Sequence, residues 1–237
     1  MRIAMWSGPR NLSTAMMYAF GNRGDCAVAD EPFYAAYLAM TGLDHPMRAE
    51  ILDSQPEDPE AVEAALLGPV PDAKPFYYQK HMTHHMIPGV PRDWMRDVTN
   101  VFLIRHPARV IASYAVKREN PTLEDIGFRQ QAELIELIRR WGHAPVVVDS
   151  HDIRQDPAVK LEQLCGAVGI PYSPKMLSWP KGGHKDDGVW AAHWYGAVWN
   201  STGFAGAEGP LPEVPEGLQP VLEAAMPFYE QMKSEKI

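Results

Sequence analysis

Short, almost uniformly apolar runs recur along this chain, and each opens onto a helical pattern or a loop of polar residues. The runs cover residues 2–6, 26–29, 76–80, 100–104 and 145–149. Helical patterns fall at residues 11–20, 108–116, 123–141, 157–168 and 218–232. Strands that are apolar throughout need cover on both faces, and strands that alternate with helices pair in parallel. The expected fold is therefore α/β, three layers with a central parallel sheet of about five strands between helices. Hydrophobic residues make up 46% of the 237 positions, enough for such a core. A single domain over residues 1–237 is expected. Residues 34–75, weakly patterned and rich in Pro, Asp and Glu, read as a helical or loop insertion that covers a substrate site.

Charge and cysteine usage narrow the function. A net charge of -8 opposes a surface that coats nucleic acid, but not a local pocket for a small anion. No run approaches the length of a membrane span. Met1 to Ala4 leads straight into the first strand and leaves no room for a signal peptide, so a cytoplasmic protein is expected. In that setting Cys26 and Cys165 read as buried thiols rather than as a disulfide or a metal site.

Ligands of parallel sheets bind at the carboxyl ends of the strands. After the first strand come Ser7-Gly8-Pro9-Arg10-Asn11-Leu12-Ser13-Thr14. A loop wrapped around a helix N-terminus offers unpaired N–H groups and the positive end of the helix dipole. Arg10 and the two hydroxyls add donors, which makes an anion site. A plain N-cap by Ser7 or Asn11 accounts for the same residues. The Gly-Lys-Ser/Thr of a Walker A loop is missing. After the fourth strand come Arg105-His106-Pro107, then Arg109, Ser113 and Tyr114. An Arg at a strand end and a Ser two turns into the next helix can converge on a second anion. Taken alone, they read equally as an ion-pair residue and a packing residue.

Together the two loops resemble those of the sulfotransferase superfamily, and the chain looks like a divergent bacterial-type member. Pro9 to Thr14 is similar to the family's Pro-Lys/Arg-Ser-Gly-Thr/Ser-Thr loop. Arg105-His106-Pro107-Ala108-Arg109-Val110-Ile111-Ala112-Ser113 is similar to its later Arg-x-Pro…Ser segment. The resemblance covers roughly residues 2–205. It departs at Leu12, where the family has a Gly that permits close backbone approach to phosphate, and at Asn11, where it has Ser. The resemblance implies a P-loop-like form of the three-layer fold, with 3′-phosphoadenosine 5′-phosphosulfate as co-substrate and no metal. It implies that Gly8, Pro9, Arg10, Asn11, Ser13 and Thr14 grip the 5′-phosphosulfate, with Arg10 in the place of the catalytic Lys or Arg. Arg105 and Ser113 would hold the 3′-phosphate, and Lys181 and Gly182 would belong to the loop over the adenine and 3′-phosphate. Trp190, Trp194 and Trp199 stack on a ligand or belong to the core. The acidic surface and aromatic tail point to a small-molecule acceptor.

The second strand ends in Asp30-Glu31-Pro32, and a Glu-Pro stands near the acceptor in many relatives. Glu31 is a candidate base, or merely starts a helix. The third ends in Lys80-His81-Met82-Thr83-His84-His85, where cytosolic sulfotransferases carry Lys-Thr-His. His81 or a neighbour is the other candidate base. Metal ligation by His84 and His85 would lack further ligands. Two rival readings stand beside this one. An atypical P-loop kinase or NTPase would hold Mg²⁺ through Ser13 or Thr14 and Asp149, which ends the fifth strand like a Walker B residue. A non-catalytic nucleotide-binding or interaction protein would share only the fold.

Overall fold

The computed structural model describes residues 1–116 and 120–237. The chain opens with β1 (Arg2–Ser7), α1 (Ser13–Gly21) and β2 (Cys26–Asp30). Helices α2 (Tyr34–Thr41), α3 (Arg48–Ser54) and α4 (Pro59–Leu67) lead to β3 (Phe76–Met82) and β4 (Thr99–Ile104). Then come α5 (Pro107–Ala115), α6 (Leu123–Ile126), α7 (Phe128–Arg140) and β5 (Val146–Asp149). The rest is helical or irregular: α8 (Ser150–Gln155), α9 (Pro157–Val168), α10 (Ala191–Trp194), α11 (Gly196–Trp199) and α12 (Gln219–Lys233).

The strands form one sheet in the order β2-β3-β1-β4-β5, and every adjacent pair is parallel. The expected three-layer α/β architecture is what the chain adopts. Side chains alternate across the sheet with period two. Ile3, Met5, Val101 and Leu103 pack with Met16, Phe20, Leu161 and Leu164 from α1 and α9. Ala4, Trp6, Phe102 and Ile104 pack the other way, with Ile111, Leu134, Ile138 and Tyr229 from α5, α7 and α12. Burial on both faces explains why these strands read as continuous apolar runs. Cys26 and Cys165 are free, buried thiols. Among the described residues no helix is long and apolar enough to cross a membrane.

One expected element differs. The helical pattern over residues 123–141 is broken at Gly127, which takes φ 71 and separates α6 from α7. A Cβ on Gly127 would lie 2.5 Å from the Thr83 hydroxyl, and one on Gly8 would lie 2.3 Å from the Ile126 carbonyl oxygen. The break lets the turn after β1 and the end of β3 close onto this junction. Periodicity carries no information about such a long-range contact.

Candidate active site

The carboxyl ends of β1, β2, β3 and β4 open into a cavity of about 290 Å³. Its first wall is the loop between β1 and α1. The left-handed residue in that loop is Arg10 at φ 55, whereas Leu12 sits at φ -81, ψ 12. Leucine in place of the family's glycine therefore introduces no backbone strain. Asn11 ties the loop to β4: its Nδ2 donates to the Leu103 carbonyl at 2.8 Å, and its Oδ1 accepts from Leu12 N at 2.8 Å. No side chain caps α1, so neither Ser7 nor Asn11 is the N-cap. The first N–H groups of the helix stay available to an anion, and Pro9, Ser13 and Thr14 line the cavity beside them. Gly8 does not line it; its missing side chain serves the packing on Ile126.

The second wall comes from β4 and α5. Pro107 opens α5, and His106 caps it by accepting from Ala108 N at 3.2 Å. This turn sets Arg105 and Ser113 on the cavity. Arg10 Nε donates to Ser113 Oγ at 3.0 Å, and Arg105 Nη1 donates to the Arg10 carbonyl at 2.6 Å. The two arginines are close enough that burial and the charge of Arg105 both push the Arg10 guanidinium below its usual range. This end of the cavity is cationic.

The third wall is acidic and aromatic. Lys80 Nζ, 1% exposed, lies 2.8 Å from Asp30 Oδ1 and 2.5 Å from Glu31 Oε1. The Tyr195 hydroxyl accepts from Lys80 and donates to Asp30. Burial raises the Glu31 carboxyl above its ordinary range and Asp30 adds to the rise, against the pull of Lys80. Glu31 itself is held at φ 41 and faces the cavity. Tyr34, His45, His84, His85 and Trp194 complete this wall. His85 stacks on Tyr34 and Tyr37 at 4.8 and 4.7 Å, and neither ring nitrogen has a hydrogen-bond partner. Among the described residues no group of three or more His, Cys, Asp or Glu is placed to hold a metal ion.

Several expected site residues lie elsewhere. Lys80 and Met82 face the cavity, so His81 between them faces the opposite side of the sheet. It stacks on Trp6 at 4.4 Å, and burial, helped by Lys80, lowers its pKa to about 3. The expectation that His81 faces the site is corrected: it is a core residue on the side of the sheet away from the cavity. Lys181 is exposed, and neither it nor Gly182 lines the cavity. Asp149 caps α8 by accepting from His151 N at 2.9 Å and accepts from the Tyr229 hydroxyl at 3.0 Å. Trp190 is core, with its indole N–H on Tyr195, and Trp199 donates to Asp187. Sequence reasoning missed Tyr34, His45 and Tyr195. Tyr34 follows the Glu-Pro turn closely enough to have been included, whereas Tyr195 lies 165 residues from Asp30 with no local signal.

A doubly covered parallel sheet with a cationic cavity at its strand ends defines a three-layer α/β protein. Within that class the chain belongs to the sulfotransferase-domain family, whose model matches residues 1–236. It is 34% identical over 233 residues to branched-chain-amino-acid aminotransferase-like protein 1 of Arabidopsis thaliana, covering 98% of this chain and 41% of that protein. It is 32% identical over 228 residues to the aminotransferase-like protein 2 of the same plant, covering 96% and 40%. The chain thus spans about two fifths of the length of these curated relatives. The fold is similar to that of a sulfotransferase from Alicyclobacillus acidocaldarius, with a TM-score of 0.59, 10% identity and coverage of 98% and 94% of the two chains.

Proposed function

We propose that this chain is an enzyme that takes a sulfuryl group from 3′-phosphoadenosine 5′-phosphosulfate and passes it to a hydroxyl or amine of a small-molecule acceptor. The observation that carries this reading is the pairing of Arg10 with Arg105 and Ser113 beside the uncapped N-terminus of α1. Arg10 and the loop N–H groups stabilise the charge that grows on the bridging oxygen as the sulfur–oxygen bond to the 5′-phosphate breaks. Arg105 and Ser113 hold the 3′-phosphate. Glu31 takes the acceptor's proton as the new bond to sulfur forms, and its raised pKa favours that role. Lys80 and Tyr195 hold Glu31 in place. The aromatic wall of Tyr34, His85 and Trp194 receives the acceptor's apolar body. The Mg²⁺-dependent rival loses its second ligand, because Asp149 is buried and does not line the cavity that Ser13 and Thr14 face.

Incubation with sulfur-labelled donor and a panel of hydroxyl and amine acceptors tests the reading. Labelled acceptor and adenosine 3′,5′-bisphosphate should form together. Glu31→Gln should lower kcat by roughly 10² or more with donor affinity retained. Tight bisphosphate binding with no transfer to any acceptor would favour the non-catalytic reading instead.

A further inference from the structure

Glu208 plays no part in the reading above, yet its side chain is 2% exposed and three guanidiniums surround it. Arg105 Nη2 pairs with its Oε1, Arg154 Nη1 lies 2.9 Å from the same oxygen, and Arg109 Nε lies 3.1 Å from Oε2. His151 Nδ1 stands 3.9 Å from Oε2. Arg105 comes from the end of β4, Arg109 from α5 and Arg154 from α8, so the fold itself gathers the cluster. The same side chains grip the main chain around Glu208. Arg154 Nε donates to the Gly206 carbonyl at 2.9 Å, and Arg109 donates to that of Gly209. A Cβ added at Gly206 or Gly209 would meet nothing within 4 Å. The segment 206–209 is therefore held by arginines rather than wedged by packing.

Three guanidiniums against one carboxylate leave two positive charges uncompensated. Burial opposes ionisation of Glu208, but the arginines outweigh it and hold the carboxyl below the usual range. A phosphate suits this cluster better than a carboxylate, because it brings nearly two charges and three acceptor oxygens to planar donor forks. Arg105 is the shared member, since it also lines the cavity. We propose that Glu208 is an internal stand-in for the donor's 3′-phosphate, and that the 206–209 segment is a strap that must surrender Arg105 as the nucleotide seats. The proposal rests on the donor reading above. Arg109 and Arg154 are then phosphate-site residues as well as strap anchors, and Glu208 weakens nucleotide binding in favour of product release.

Calorimetric titration of adenosine 3′,5′-bisphosphate and 5′-AMP into the wild-type protein and Glu208→Gln tests it. The variant should bind the bisphosphate at least about tenfold tighter, with 5′-AMP affinity changed less than about twofold. Weaker or equal bisphosphate binding by the variant would overturn the stand-in and make Glu208 a positioning residue for Arg105. Amide hydrogen exchange on the wild type gives a readout that needs no variant. Residues 206–209 should exchange faster with saturating bisphosphate, and unchanged or slower exchange counts against the strap. If neither protein binds the bisphosphate, the donor reading fails by itself. Inorganic pyrophosphate then decides: Glu208→Gln must bind it more tightly than the wild type, and equal affinity overturns the proposal.

Discussion

Arg10 and Ser113, 103 residues apart, are joined by a 3.0 Å hydrogen bond from the arginine Nε to the serine Oγ. The bond links the loop after β1 to the helix after β4. Arg105 completes the join by donating to the Arg10 carbonyl at 2.6 Å. Two segments that each have an ordinary structural explanation alone become one cationic wall when they meet.

Arg10 should act chiefly in the transition state, because the charge it faces develops as the donor's bond breaks. Arg10→Ala is expected to lower kcat by about 10²–10³ while donor affinity falls much less. Arg10→Lys should recover part of the loss, since it restores the charge but not the planar fork. Steady-state kinetics with direct measurement of donor Kd checks this. Equal losses in kcat and affinity would make Arg10 a binding residue.

Lys80 holds together two buried carboxylates. Lys80→Met leaves Asp30 and Glu31 facing each other without a counter-charge, which should cost about 3–5 kcal/mol of stability. Denaturant unfolding measures it. A loss below about 1 kcal/mol would mean that the network behaves like a solvent-exposed ion pair.

His81 sets a pH dependence. Its pKa is lowered from 6.5 to about 3 in the folded protein. Between those values the unfolded chain binds a proton that the folded chain refuses. Stability should therefore fall as pH drops from 6.5 toward 3, by up to about 1.4 kcal/mol per pH unit from this residue. His81→Phe keeps a ring against Trp6 and removes the titration. The variant's stability should fall less steeply than that of the wild type between pH 6.5 and 4. His85 is shifted in the same direction, and His81 is the smallest of the charges that push it down, so its loss relaxes His85 in the same sense as the expected difference. Parallel curves would contradict the assignment of His81 to the core.

The apolar runs made the parallel sheet legible, because burial on both faces leaves little polar punctuation inside a strand. They also pointed to the cavity, which Arg10, Ser13, Thr14, Glu31, Arg105 and Ser113 all line. His81 was misplaced although strand alternation held the answer, since a site role for Lys80 turns its neighbour to the other face. Gly8 looked like a phosphate-loop glycine and proves to be a packing glycine, a distinction that depends on Ile126 more than a hundred residues away. Tyr195 and Glu208 reach the site from the irregular tail through long-range hydrogen bonds and ion pairs. No local period or motif marks such residues.

If Arg10, Arg105 and Ser113 grip a nucleotide that carries a 3′-phosphate, calorimetry will show it most directly. Adenosine 3′,5′-bisphosphate, 5′-AMP and ATP with Mg²⁺ are titrated into the wild-type protein and Ser113→Ala. The wild type should bind the bisphosphate at least about tenfold tighter than 5′-AMP. Ser113→Ala should weaken the bisphosphate alone, by about 1.5–3 kcal/mol for the lost charge-assisted contact. Equal affinity for the bisphosphate and 5′-AMP, or binding of ATP with Mg²⁺ alone, would contradict the sulfotransferase reading of this cavity.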